Sequence, residues 1–165
     1  MLNTSKKELA ELTNKEMIEG SLKDAIKDAD VFIGVSVANC VTKEMVLSMA
    51  ENPILFTCAN PIPEILPKDA LEAGAFIVGT GSSEYPNQIN NVLVFPGLFR
   101  GAIDAKATTV NLEMMKAAAK GIASCISDQE LSKNYIIPYA WDKSVHLKVA
   151  EEVKKAAIES GVIRK

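Results

Sequence analysis

Three short apolar runs, separated by segments with helical character, constrain the fold of this chain more than any other feature. They lie at residues 30–36, 53–59 and 75–79. The runs are rich in β-branched and aromatic side chains and show no alternation, which indicates strands buried on both faces of a parallel sheet. They recur about every 20 residues with short connections, a pattern typical of α/β proteins. The sequence therefore predicts a parallel sheet of about three strands flanked by helices.

The two connections between these strands carry helix signals. Thr42 is the candidate N-cap of a helix over residues 43–50. Pro67 stands at the first position of a second helix, and Gly74 follows its end. The alternation of strand and helix in the middle of the chain is therefore supported by local signals as well as by hydropathy.

Outside this region the chain is predicted to be helical. The segments at residues 108–126 and 143–160 carry apolar residues at nearly every fourth position. We expect these apolar stripes to face the body of the protein. Between them, Tyr139 and Trp141 follow an extended connector that we expect them to anchor. The predicted helical segments are residues 6–12, 21–26, 108–126 and 143–160.

Length and composition exclude several functional classes. With 165 residues, we expect a single domain over 1–165. A net charge of −3 without a basic stripe excludes nucleic acid as an expected partner. No apolar run is long enough to cross a membrane, and residues 1–7 lack the apolar core of a signal peptide. The three cysteines are scattered, which indicates reduced thiols and a cytoplasmic location.

A polar loop at residues 79–91 follows the third predicted strand. Its amide side chains offer neutral donors and acceptors for a small ligand. Ligands of open parallel sheets bind beyond the carboxyl ends of the strands, where Val35 and Ser36 and also Asn60 are predicted to lie. We therefore predict a binding site at this edge of the sheet. The loop amides are Asn87, Gln88, Asn90 and Asn91.

The chain carries no Gly-x-Gly-x-x-Gly motif of the kind that holds a pyrophosphate at a helix N-terminus. If the sheet is Rossmann-like, its first βαβ half is missing. We then expect an unpaired, apolar strand edge and only weak dinucleotide binding by this chain alone.

Each candidate residue also has a purely structural interpretation. Asn60 could be a turn residue before Pro61, Asn90 and Asn91 could cap a following helix, and Ser36 could simply end a strand. His146, the only histidine, is expected to be a surface or packing residue.

Two loop glutamates raise the question of a metal site. Glu64 and Glu84 follow the second and third predicted strands. Single carboxylates on loops are usually solvated, so we predict solvation of both and no metal site.

Four segments lie in order at residues 30–36, 59–65, 86–91 and 95–102. Together they resemble the bacterial-type malic enzymes. The resemblance runs from about residue 6 to the C-terminus and covers only the C-terminal part of that family's NAD-binding domain. It implies oxidation of L-malate with NAD or NADP and a divalent metal such as Mg²⁺ or Mn²⁺, then decarboxylation to pyruvate and CO₂.

The resemblance also implies roles for single residues. The family's substrate-contacting asparagines fall on Asn60 and on Asn90 or Asn91. Val35 and Ser36 match the turn beneath the adenosine and ribose of the cofactor, and Asn91 also matches a position near the nicotinamide. No residue here matches the family's Tyr and Lys acid–base pair, its metal-binding carboxylates or its glycine motif. We expect those upstream of Met1, so we assign no catalytic and no metal-binding residue.

One departure from the family's pattern concerns the cofactor. Where members often have Arg-Ser-Asp, this chain has Ser, Ser and Glu at residues 82–84. The change removes a cation beside the predicted site, so the resemblance leaves open whether NAD or NADP is preferred.

Three functional hypotheses follow. The first is that the chain is part of a malic enzyme, inactive alone and completed by a homo-oligomer or a complementary upstream chain. The second is a non-catalytic truncated or split-gene fragment that acts as an association or dinucleotide-binding module. A third is an independent dinucleotide-binding module of another dehydrogenase family.

Overall fold

A computed structural model describes residues 4–164, apart from the side chain of Ser5. Residues 1–3, part of the stretch expected to lack a signal peptide, lie outside the described residues, as does residue 165. The strands are β1 (Val31–Gly34), β2 (Ile54–Thr57) and β3 (Ile77–Thr80). A 3₁₀ helix spans Asn91–Leu93. The α-helices are α1 (Thr4–Leu12), α2 (Leu22–Ile26), α3 (Lys43–Leu47), α4 (Pro67–Glu72), α5 (Phe95–Asp104), α6 (Leu112–Ala123) and α7 (Lys143–Glu159).

The three strands form one parallel sheet in the order β1-β2-β3. This confirms the predicted α/β architecture with a three-stranded partial sheet. The central strand lies between the other two, and Leu55 on it is fully buried. In the register, Val31 lies opposite Ile54, which lies opposite Ile77.

The first strand differs from the prediction. The side chains of Ile33 and Val35 are 66% and 81% exposed, so the run at residues 30–36 is not buried on both faces. No other described strand pairs with the outer edge of β1, and no described helix covers this apolar face. The expected unpaired, apolar strand edge is therefore present in the described part of the chain.

The helix signals between the strands are confirmed. The Thr42 hydroxyl accepts a hydrogen bond from the Met45 amide at 3.3 Å, and Pro67 begins α4. Gly74 follows α4 with a φ of +97°, which an L side chain rarely adopts. The later helix predicted at 108–126 is shorter, because its cap is Asn111, whose side chain accepts from the Met114 amide.

The core has two parts. One lies between the sheet and the helices around it, and the other lies between α5, α6 and α7. Within the described residues, no helix combines the length and the apolar character needed to span a bilayer. Fully or nearly fully buried members are Val46, Leu55 and Ala70 in the first part, and Met114, Val145, Val149 and Val153 in the second.

A buried carboxylate ties the ends of β1 and β2 together. Glu64 is 0% exposed, and its Oε1 accepts a hydrogen bond from the Ser36 amide at 2.9 Å. Its Oε2 accepts from the Ala59 amide at 3.0 Å. No lysine or arginine of the described chain forms an ion pair with it. Charge-assisted bonds from two backbone N–H groups therefore hold this charge.

The burial of Glu64 corrects the prediction that it is solvated. The loop after β2 turns back under the strand ends, and the Val41 amide donates to the Glu64 carbonyl at 3.0 Å. Gly34 makes room for the carboxylate, since a Cβ there would lie 2.5 Å from Glu64 Cδ and Oε1. Glu84, in contrast, is exposed as predicted.

Two glycines let α5 approach α7 closely. A Cβ at Gly97 would lie 2.6 Å from Val149 Cβ and 2.7 Å from the His146 carbonyl oxygen. A Cβ at Gly101, one helical turn later, would overlap the Ala150 carbonyl oxygen. Both contacts involve backbone or β-branched atoms that cannot rotate away. The close packing of α5 on α7 therefore depends on glycine at both positions.

We expect Gly97→Ala to lower the free energy of unfolding by about 1–3 kcal/mol, because overpacking outweighs the gain in helix propensity. Gly121→Ala on α6 is the matched control, since its Cβ would meet Val149 Cα at an ordinary 3.4 Å. Urea denaturation followed by circular dichroism compares the two. Equal stability of both variants would contradict the close α5–α7 packing.

We expect Glu64→Gln to cost about 1–3 kcal/mol of unfolding free energy, because an amide N–H₂ would face one of two buried backbone donors. Glu84→Gln is the control, and its cost is expected to lie within about 0.5 kcal/mol of zero. Hydrogen exchange at the Ser36 and Ala59 amides gives a local readout. If both amides exchange as slowly in Glu64→Gln as in the unmodified chain, the proposed tie between the strand ends is wrong.

Candidate functional site

A cavity lies where the carboxyl ends of the three strands meet. Its volume is about 400 Å³. Every strand contributes to it through the residues that follow, and the polar loop closes one side. The lining residues are Val35, Cys58, Asn60, Gly81, Ile89, Asn90 and Asn91. We call it the strand-end cavity.

Asn60 and Asn91 both line this cavity. Neither side chain makes a hydrogen bond with another described residue. Asn60 follows β2 and joins Pro61 through a cis peptide bond. Asn91 begins the 3₁₀ helix. Two neutral amides, each with donors and an acceptor, are thus available at one place.

Asn90 has a structural task that limits its part in binding. Its Oδ1 accepts from the Val92 amide at 3.0 Å, which caps the 3₁₀ helix, and its Nδ2 donates to the Gly81 carbonyl at 3.1 Å. One N–H of the amide is left for a ligand. The capping alternative thus describes Asn90, while Asn91 keeps its amide free.

Val35 and Ser36 also differ in how available they are to a ligand in the cavity. Val35 lines the cavity and offers an exposed apolar surface. Ser36 lies outside the lining, and its backbone N–H is already bonded to Glu64. Because its N–H is taken, Ser36 can donate to a ligand only through its hydroxyl, unless the bond to Glu64 is lost.

Cys58 lines the cavity and was not among the predicted site residues. Burial raises the pKa of its thiol, and the Glu64 carboxylate raises it further. The thiol is therefore neutral at pH 7, and no charged side chain of the described residues lines this cavity. The position of Cys58 directly after an apolar run was the signal that would have identified it.

The loop at residues 79–91 is more regular than its composition suggests. The Thr80 amide donates to the Asn87 carbonyl at 3.2 Å, and the Ile89 amide donates to the Thr80 carbonyl at 2.7 Å. Thr80 and Gln88 form a parallel bridge. These bonds turn the chain back toward β3, so Ile89, Asn90 and Asn91 return to the strand end.

Asn87 holds this loop and a distant connector together. It is 5% exposed, and its Nδ2 donates to the Val78 carbonyl at 3.0 Å and the Lys133 carbonyl at 2.8 Å. Its Oδ1 accepts from the Ile136 amide at 3.0 Å. All of its strong hydrogen-bonding capacity is used within the protein, so this loop amide is structural.

Other candidate groups do not form a reactive cluster. His146 lies half-buried on α7, and its buried Nδ1 has no partner among the described residues. Within residues 4–164, no three His, Cys, Asp or Glu side chains are placed to hold a metal ion together. The donor set of the strand-end cavity is made of neutral amides, which suits binding and orientation of a polar ligand.

Comparison with known proteins identifies the family of this chain. The family profile described as "Malic enzyme, NAD binding domain" matches residues 1–158. A bifunctional malic/malolactic enzyme of Bacillus subtilis is 60% identical over 99% of this chain and 40% of its own length. An NAD-dependent malic enzyme of Geobacillus stearothermophilus is 51% identical over 96% of this chain and 33% of its own.

Solved structures show the same relationship. The NAD-dependent malic enzyme of Thermotoga maritima superposes with a TM-score of 0.88 at 44% identity. The superposition covers 93% of this chain and 40% of the Thermotoga maritima chain. The chain thus spans about 40% or less of the length of these three relatives. It belongs to the family of malic enzyme NAD-binding domains.

Proposed function

We propose that this chain supplies the malate- and cofactor-facing loops of a malic enzyme. The reaction is the oxidative decarboxylation of L-malate to pyruvate and CO₂ with NAD or NADP. The observation that carries the proposal is the strand-end cavity, which is lined by the apolar Val35 and by Asn60 and Asn91, whose side chains make no hydrogen bond with another described residue. Pyruvate is the product expected to leave the same cavity.

The donor set fits this pair of ligands. Amide N–H groups donate to a malate carboxylate without adding a fixed charge that would retain an anionic product. An amide also matches the carboxamide of a nicotinamide, since each has a donor and an acceptor. The thiol of Cys58 stays neutral, so it adds no negative charge to the residues that line the cavity.

We assign Asn60 and Asn91 to malate, with the remaining N–H of Asn90 as a third contact. Val35 is assigned to the cofactor. Asn91, next to Asn90 in sequence, is assigned to both malate and the cofactor. Ser36 stays a cofactor candidate through its hydroxyl only. A bound NAD or NADP would supply the hydride acceptor, while the residues of this chain bind and orient.

The acid–base pair and the metal ligands are proposed to come from outside this chain. The described residues contain no three side chains placed to bind Mg²⁺ or Mn²⁺. No step of the reaction is therefore assigned to a metal held by this chain. Its isolated form is expected to bind cofactor weakly and to be inactive.

The exposed face of β1 supports the need for a partner. Val31 and Ile33 on β1 are 46% and 66% exposed, beside an unpaired strand edge. Such an edge is a template for pairing with another chain. We propose that a complementary upstream polypeptide covers it, either within a longer protein or as a separate chain, and that homo-oligomers form in its absence.

Two further proposals concern the setting of the chain. The three free cysteines fit a reducing compartment, and we propose the cytoplasm. We also propose that residues 1–165 fold as one domain, because Asn87 bonds β3 to the connector between α6 and α7.

The second candidate function is a non-catalytic association or dinucleotide-binding module. The exposed β1 face and the lack of a metal cluster in residues 4–164 favour it equally well. It differs from the first in one respect, which is whether a complementary polypeptide restores turnover.

We expect no turnover of malate by the chain alone with NAD or NADP and Mn²⁺. Addition of the portion of the Bacillus subtilis relative that this chain does not match should restore pyruvate formation above that of either part alone. The measurement is reduction of NAD or NADP followed by absorbance. Turnover by the lone chain would refute its proposed inactivity. Absence of turnover in the mixture would favour the non-catalytic module.

In the restored enzyme we expect Asn91→Ala to reduce kcat/KM for malate about tenfold or more, because one hydrogen bond to a charged ligand is lost. Asn60→Ala should have a similar effect. Gln129→Ala, which removes an exposed amide outside the strand-end cavity, is the control. If all three variants retain the same kcat/KM, the assignment of Asn60 and Asn91 to malate is wrong.

A further inference from the structure

A second cavity is lined by other residues of the polar loop and by the connector between α6 and α7. Its volume is about 310 Å³, and its walls come from residues 83–88 and from the connector at residues 134–141. None of its lining residues belongs to the strand-end cavity. We call it the aromatic cavity.

Aromatic rings form a stack along the connector wall. The ring centroids of Tyr135 and Tyr139 are 5.1 Å apart at an angle of 38°. The rings of Tyr139 and Trp141 are 4.6 Å apart and nearly parallel, at 10°. Tyr139 and Trp141 are 52% and 74% exposed, so they do not anchor the connector against the body as expected. Tyr85 contributes a further aromatic side chain from the loop.

Buried contacts fix both walls in place. Asn87 bonds the loop to the connector through the Lys133 carbonyl and the Ile136 amide. Lys133 places its ammonium 4.1 Å from the centroid of the Phe76 ring. The cavity is therefore held open by contacts that a ligand would not need to form.

The cavity carries no charge. Among the described residues that line it, none is an acid, a lysine or an arginine. Burial raises the pKa of the Tyr135 hydroxyl, with a smaller contribution from Glu130, so this ring stays neutral at physiological pH. The side-chain amides of Gln88 and Asn134 line the cavity and make no hydrogen bond with another described residue.

From these features we infer that the aromatic cavity binds a neutral, planar aromatic ring that carries an amide or an equivalent donor–acceptor pair, as nucleobases do. The ring would stack on the exposed tyrosine and tryptophan faces, as bases stack on aromatic side chains in single-strand binding proteins. Gln88 and Asn134 would exchange hydrogen bonds with its polar group. The volume lies at the lower end of small-molecule pockets, which suits one or two rings.

This site is independent of the proposed malate site. Neither Asn60 nor Asn91 lines it, and no aromatic residue lines the strand-end cavity. Loss of one binding activity therefore leaves the other measurable.

Trp141 is the only tryptophan of the chain, so its fluorescence reports on this cavity without interference. The test is a fluorescence titration of the 165-residue chain with benzamide, with benzoate and with adenine. Benzamide and benzoate share a ring, but only benzoate is charged. Benzamide and adenine should change the fluorescence saturably, and benzoate should bind at least about tenfold more weakly, because no cation is present to replace its hydration.

Variants locate the site. Tyr135→Ala should weaken benzamide binding about tenfold in calorimetry, since a stacking face is lost. Asn134→Ala removes an exposed amide with little risk to the fold and should weaken it several-fold. Asn60→Ala, in the strand-end cavity, should bind benzamide as the unmodified chain does. Circular dichroism checks the fold of each.

Three results would overturn the inference. One is the absence of saturable binding of both benzamide and adenine. Another is equal affinity for benzamide and benzoate, which would mean that neutrality is not recognised. The last is unchanged benzamide affinity in both folded Asn134→Ala and Tyr135→Ala.

Discussion

The hydrogen bonds of one buried carboxylate determine where the ends of β1 and β2 lie. Glu64 accepts from the amides of Ser36 and Ala59, and each of these amides adjoins a residue of the strand-end cavity. Val35 and Asn60 therefore take their positions from the same side chain. A fully buried charge without a cation is costly, so both oxygens must keep their donors. The absence of a side chain at Gly34 gives the carboxylate its space.

The sequence predicted the sheet well because its signals are local. Apolar runs, a Thr cap, a helix-starting Pro and a glycine after a helix each act within a few residues, and each appears where expected. Exposure of β1 was missed, since burial of a strand depends on what packs on it and not on its own composition. The shorter α6 reflects a cap at Asn111 that competes with the apolar periodicity upstream.

The roles of the polar side chains were harder to predict because their partners are distant in sequence. Asn87 bonds to residues 46 and 49 positions away, and Glu64 to one 28 positions away. Asn87, Asn90 and Asn91 look alike in sequence, yet the first holds two segments together, the second caps a helix and the third is free. Only the fold separates them. Different residues of this loop line the two cavities, and neither cavity has a charged side chain in its lining.

The central claim is that the strand-end cavity is part of a malate and dinucleotide site. Amide chemical shifts of the isotope-labelled chain, titrated with NAD⁺ and L-malate, test it most directly, because they detect weak binding. The account predicts shifts at Val35, Asn60, Gly81 and Asn91, and it predicts that L-malate alone, which has no aromatic ring, leaves Trp141 unshifted. Shifts concentrated elsewhere, or none at saturating ligand, would contradict it.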